Sequence, residues 1–173
     1  MNRSNIVIAV CAALGLGACS PTFNWREVRP QVTPLVALLP CKPDQAARVV
    51  PLGGRDVEMH MLGCDAGGAT FAVAHADIKD ADKAGVVLAQ WKAAVLGHVR
   101  ATSSVDVPFA PPGATALPQS VRVVAQGSRQ NGGKLTAQGA WFAHGTQVFH
   151  ALVYAEEVSP EVAETFFAGL KFQ

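Results

Sequence analysis

The chain carries almost no surplus of either charge: 14 Lys and Arg stand against 13 Asp and Glu in 173 residues. A net charge of +1 implies no strongly basic face, which argues against a nucleic-acid partner, whose phosphates call for clustered cations. The short motifs that carry chemistry are missing too. There is no G-x-S-x-G, no H-E-x-x-H, no C-x-x-C, and no zinc-type spacing of cysteine with His60, His75, His98, His144 or His150. No metal or cofactor is therefore expected. Internal repeats and low-complexity tracts are absent. Charged residues amount to only 16%, yet half of all residues are apolar, which excludes a disordered tail protein. What is left is one globular unit, since this length builds one sizeable core and not two.

The longest apolar run lies at the N-terminus. Arg3 precedes Ile6 to Leu16, and small residues follow up to Cys19, the layout of a secretory signal. Eleven helical residues rise only about 16 Å against a hydrocarbon core of ~30 Å, so this run is too short to span a bilayer comfortably. Leu16-Gly17-Ala18-Cys19 resembles the lipobox of bacterial lipoproteins. That resemblance implies removal of residues 1–18 and acylation of the Cys19 thiol, with palmitate-type chains holding the protein to a membrane. The alternative is a plain signal cut after Ala18, leaving an ordinary cysteine. Ser20 stands where aspartate would favour inner-membrane retention, which implies the outer membrane, facing the periplasm. Without Arg3 the mature chain holds 13 bases and 13 acids, so residence must come from the lipid and not from charge.

Of four cysteines, Cys11 leaves with the signal and Cys19 takes the lipid, so Cys41 and Cys64 remain as an even pair in an oxidising compartment. A disulfide is expected, closing a loop of about two dozen residues and worth roughly 3 kcal/mol by chain entropy. Two buried free thiols are the alternative.

Along the mature chain, residues 19–34 read as lipidated terminus and tether, with Pro21, Pro30 and Pro34 and a stretched reach of ~50 Å. Phe23 and Trp25 within it are expected to dock on the domain. Residues 35–173 form that domain. Leu35 to Leu39 is a short apolar run, Gln45 to Leu52 an extended segment closed by Gly53-Gly54, and Val57 to Gly63 pairs as a hairpin with Thr70 to Asp77 across Gly67-Gly68. From Asp80 to Val99 the period changes: Ala84, Val87, Leu88, Trp91, Val95 and Val99 fall on one helical face, with Asp77, Asp80 and Asp82 near its start to complement the dipole. Thr102 to Pro118, with four prolines and Gly113, reads as a long loop and a place for a partner to bind. Val121 to Ser128, Leu135 to His144 and Gln147 to Ala155 then form a three-stranded meander. The last of these is apolar on both alternating sets and so should be covered on both faces. Ser159 and Pro160 announce a short closing helix.

This order of elements, with a terminal helix ending Phe166-Phe167-Ala168-Gly169-Leu170-Lys171-Phe172, resembles the PsbP/Mog1-like fold, although Gly169-Leu170 stands where Ser-Phe is more usual. The resemblance implies an α+β, α-β-α sandwich: a mainly antiparallel sheet of about six or seven strands packed with one long and one short helix. It also implies a binding or assembly role, not catalysis. The whole chain is similar to small proteobacterial lipoproteins, which implies no activity.

The functional expectation is a lipid-anchored envelope binding or assembly module that meets a protein partner through residues 102–118 or the tether. Two rivals stay open. One is a small envelope enzyme using Glu58, His60 or His75, which share a face in only one hairpin register. The other is a structural lipoprotein or small-ligand carrier. If Gly145-Thr146 is a two-residue turn, His150 stands opposite Trp141 as a packed imidazole beside an indole.

Overall fold

A computed structural model describes residues 22–173; the signal, Cys19 and Ser20 lie outside the described residues. The described chain forms β1 (Arg26–Val28), β2 (Leu35–Leu39), β3 (Asp44–Leu52), β4 (Arg55–Ala66), β5 (Ala69–Asp77), α1 (Ala84–His98), β6 (Ser103–Pro108), β7 (Val121–Ser128), β8 (Lys134–His144), β9 (Gln147–Ala155), α2 (Pro160–Ala168) and β10 (Lys171–Phe172). The class is α+β. Seven strands make one sheet in the order β3-β4-β5-β9-β8-β7-β6, antiparallel at every pairing, and β1-β2-β10 make a second, small sheet.

The sequence dictates this order step by step. Gly53-Gly54 and Gly67-Gly68 all take positive φ, which makes β3, β4 and β5 consecutive hairpins. Helix α1 then carries the chain over one face of the sheet to its far edge. The β6–β9 meander returns to pair β9 with β5, so β9 is central and its Val148 to Ala151 are buried on both faces.

Two-residue alternation divides each strand between two cores. On one face α1 sets Ala84, Val87, Leu88 and Trp91 against Ala76, Val123, Trp141 and Val148. On the other, α2 and the small sheet bring Phe166, Phe167, Leu35 and Leu39 onto Phe71, Phe142, Phe149 and Val153. Each buried Val, Leu and Phe among them contributes about 1.5–3 kcal/mol of burial. Cys41 and Cys64 are joined in a disulfide, tying the end of β2 to β4.

Three expectations need correction. The stretch 102–118 is not all loop: β6 pairs with β7 as an edge strand, and an edge accommodates Pro108 because its outward backbone needs no partner. The rest is pinned to the domain at points, with Phe109 against Phe142 and Phe167, Pro111 buried, and Thr115 bridged to Ala143. Second, part of the expected tether is domain. β1 pairs with β2, the Asn24 amide donates to the Pro40 carbonyl, and Phe23 and Trp25 do dock, Trp25 edge-on to Phe71 at 6.2 Å. Phe23 packs where a Gly67 side chain would sit, 2.4 Å from any Cβ there. Third, α2 stops at Ala168, and Lys171–Phe172 leaves it to pair with β2.

Candidate functional site

The Gly67-Gly68 turn places His60 directly opposite His75. Direct partners share a face, and the two imidazoles stack with centroids 5.2 Å apart and 16° between planes. Glu58 lies two residues earlier on the same face, its Oε2 3.3 Å from His60 Nε2. The three sequence candidates therefore meet. Phe149, opposite His75 on β9, closes the far side of the stack at 5.8 Å.

The β1–β2 loop leans over this pair through Pro30, Gln31 and Val32. Val32 takes φ +57°, a rare value for a β-branched residue, and the Gln147 side-chain amide donates to its carbonyl at 2.8 Å. Hollows of about 200 and about 400 Å³ flank the histidines, the larger reaching Glu58, Asp77 and Lys79.

Burial, with the like charge of His60 second, lowers the His75 pKa to about 4. Its ring is 2% exposed and its Nε2 finds no partner among the described residues. At neutral pH His75 is thus an uncharged imidazole. No Ser, Thr, Cys or Tyr lines either hollow, so the arrangement sets imidazoles beside carboxylates and Lys79 without a hydroxyl or thiol nucleophile. Among the described residues no three His, Cys, Asp or Glu side chains are grouped to hold a metal ion. His98 and His144 lie apart from the pair; His144 stacks on Phe172 at 4.5 Å and bonds the Gly113 carbonyl at 2.9 Å.

A second site lies on the opposite face. Helix α1 covers that face incompletely, and its last turns leave a groove of about 600 Å³ between Trp91, Val95 and His98 and the strands beneath. Met61, Ala72, Leu152 and Tyr154 line it half-buried. Arg48, His98, Arg129 and Gln130 stand exposed around it, and no Asp or Glu lines it.

His150 also lines this groove, opposite Trp141 as expected, stacked on it at 4.6 Å and edge-on to Trp91 at 5.4 Å. Burial lowers its pKa to about 3, and its Nε2 has no partner among the described residues. Gly139 makes the stack possible, because a Cβ there would lie 2.6 Å from the Trp141 ring. Sequence alone carries no signal for Arg48, Leu152 or Tyr154 as site residues, since the uncovered part of a sheet face depends on where the crossing helix lies.

A third feature is the β6 edge, where Val105, Val107 and the neighbouring Val124 are 66%, 49% and 40% exposed on one face. Val105 and Val107 fall within the stretch expected to meet a partner.

No family model matches the chain, and no curated protein matches it. Among solved structures, a protein of unknown function from Pseudomonas aeruginosa is similar at a TM-score of 0.31 and 13% identity, over 80% of this chain and 85% of that one. A likeness this distant carries no argument about function.

Proposed function

We propose that the chain is a lipid-anchored envelope protein whose domain is a binding module without catalytic activity, held by acylated Cys19 in the outer membrane and facing the periplasm. The observation that carries the binding reading is the groove beside α1. Its volume of about 600 Å³ falls within the roughly 300–1,000 Å³ of small-molecule sites, and its lining is apolar with a few polar groups. The anchor reading rests on Leu16-Gly17-Ala18-Cys19 behind the apolar run. The PsbP/Mog1-like sandwich is the fold we favour, supported by helices on opposite faces of the seven-stranded sheet. A protein partner would meet the exposed Val105, Val107 and Val124 row.

The test is binding of N-phenyl-1-naphthylamine, a neutral dye that brightens in apolar surroundings. Wild type should enhance its emission saturably, and Ala94→Trp, which fills the groove from an exposed helix position, should abolish most of the effect. Equal enhancement by both proteins would refute the groove as the binding site.

The meeting of Glu58, His60 and His75 favours a second reading, a small envelope enzyme with His75 as base. It predicts that Glu58→Gln or His75→Ala abolishes cellular function in a correctly folded protein. Retained function would dismiss it.

A further inference from the structure

We propose that the groove beside α1 takes a single-chain acidic amphiphile drawn from the lipid bilayer, its apolar chain lying over Leu152, Met61 and Val95 and its anionic head held at Arg129. This deepens the binding reading above and rests on it.

Charge complementarity selects the head group. The chain as a whole is nearly neutral, yet the groove is lined by two arginines, two histidines and no acid. Among the described residues neither Arg48 nor Arg129 has an acidic partner, whereas Lys92 and Arg122 are paired with Asp106 and Glu164. An unpaired guanidinium at an apolar rim suits a carboxylate or phosphate, which it can hold in a charge-assisted contact.

The floor selects the body. Tyr154, Leu152 and Ala72 present half-buried apolar surface in a row across β9 and β5. Beside them on β9 His150 stays neutral and keeps an Nε2 without a partner among the described residues. Such a floor excludes a second charge and accommodates a chain.

Position selects the source. The register puts the Gly67-Gly68 turn, the Ala155 end of β9 and the Arg129-containing turn between β7 and β8 at one end of the sheet. Leu135, Tyr154 and Arg129 line the groove at that end. Phe23 is docked on Gly67 at the same end, on the opposite face. Only three residues lie between Cys19 and Phe23, a reach of at most ~14 Å of extended chain. An anchor at Cys19 therefore holds this end, and the groove that reaches it, close to the bilayer.

The test uses full-chain protein mixed with phosphatidylcholine vesicles containing either a diazirine-bearing fatty acid or the matching diazirine fatty alcohol. After irradiation, adducts are mapped by mass spectrometry. The expected result is acid adducts on α1 and β9 groove residues, reduced about fivefold or more in Arg129→Gln, with alcohol capture weaker and unchanged by that variant. Ala94→Trp should lose capture of both probes. Equal capture of acid and alcohol, or no effect of the arginine variant, overturns the assignment of the head group while leaving the binding reading standing. Absence of groove adducts from either probe overturns both. Circular dichroism of each variant separates these outcomes from misfolding.

Discussion

Acid should destabilise this domain well above the pH at which its carboxylates titrate. Native His75 and His150 have pKa values of about 4 and about 3, against 6.5 for an exposed imidazole. Between these limits the unfolded chain binds more protons than the native one, so stability is full above pH 6.5 and falls as the pH drops. Integrating that difference from pH 7 to pH 5 gives about 2 kcal/mol per histidine and about 4 for the two, with the His75 share an upper bound because open hollows border it. Against a total of about 5–15 kcal/mol for a domain, this loss is large. Lowered carboxyls do not mimic it. Burial opposes ionisation of Asp77, but its hydrogen bonds and charge contact with Lys79 outweigh this and hold it below its ordinary value of 3.8, so its contribution is lost only as the pH falls below that value. The assay is urea unfolding followed by tryptophan emission at pH 7, 6 and 5. His150→Leu should remove about half of the pH-dependent loss, and adding His75→Leu most of the rest. A wild-type stability unchanged between pH 7 and pH 5, or a loss that persists in the double variant, would refute the reasoning.

Three further outcomes are expected. Trp91→Ala removes an indole that is 8% exposed and packed on His150, and should cost about 3–5 kcal/mol in the same urea assay; a variant as stable as wild type would show that α1 does not pack by this face. Thiol titration of unfolded, unreduced mature protein should find neither Cys41 nor Cys64 free, and Cys41→Ser/Cys64→Ser should lower stability by about 3 kcal/mol, whereas two reactive thiols would contradict the disulfide. Cells fed labelled palmitate should label the wild-type chain and not Cys19→Ser; label on the serine variant, or none on wild type, would remove the anchor.

Much of the fold is legible in the chain because local chemistry decides it. Turn glycines at positions 53–54, 67–68 and 145 need positive φ, and they mark the hairpins that the structure contains. Apolar side chains on both alternating sets of Gln147–Ala155 require cover on two faces, which only a central strand receives. With Cys11 in the expected signal and Cys19 the expected lipid acceptor, Cys41 and Cys64 are the pair left over, and the structure joins them. Less legible were the segments whose state depends on a distant partner. Arg26–Val28 has no strand pattern of its own and is a strand because Leu35–Leu39 lies beside it. Ser103–Pro108 looks like loop through its proline, and is a strand because an edge leaves the missing N–H unneeded.

The candidate sites divide the same way. The sequence determined that Glu58, His60 and His75 lie in one hairpin, but their meeting depended on register, and a slip by one residue would have put His60 and His75 on opposite faces. Tertiary structure alone decided that register, the neutral state of His75 beneath Phe149, and the uncovered strip beside α1 where Arg48, Leu152 and Tyr154 converge. The physical reason is range: turn chemistry and periodicity act over a few neighbouring residues, whereas desolvation and groove shape arise only where segments remote in the chain are packed against one another.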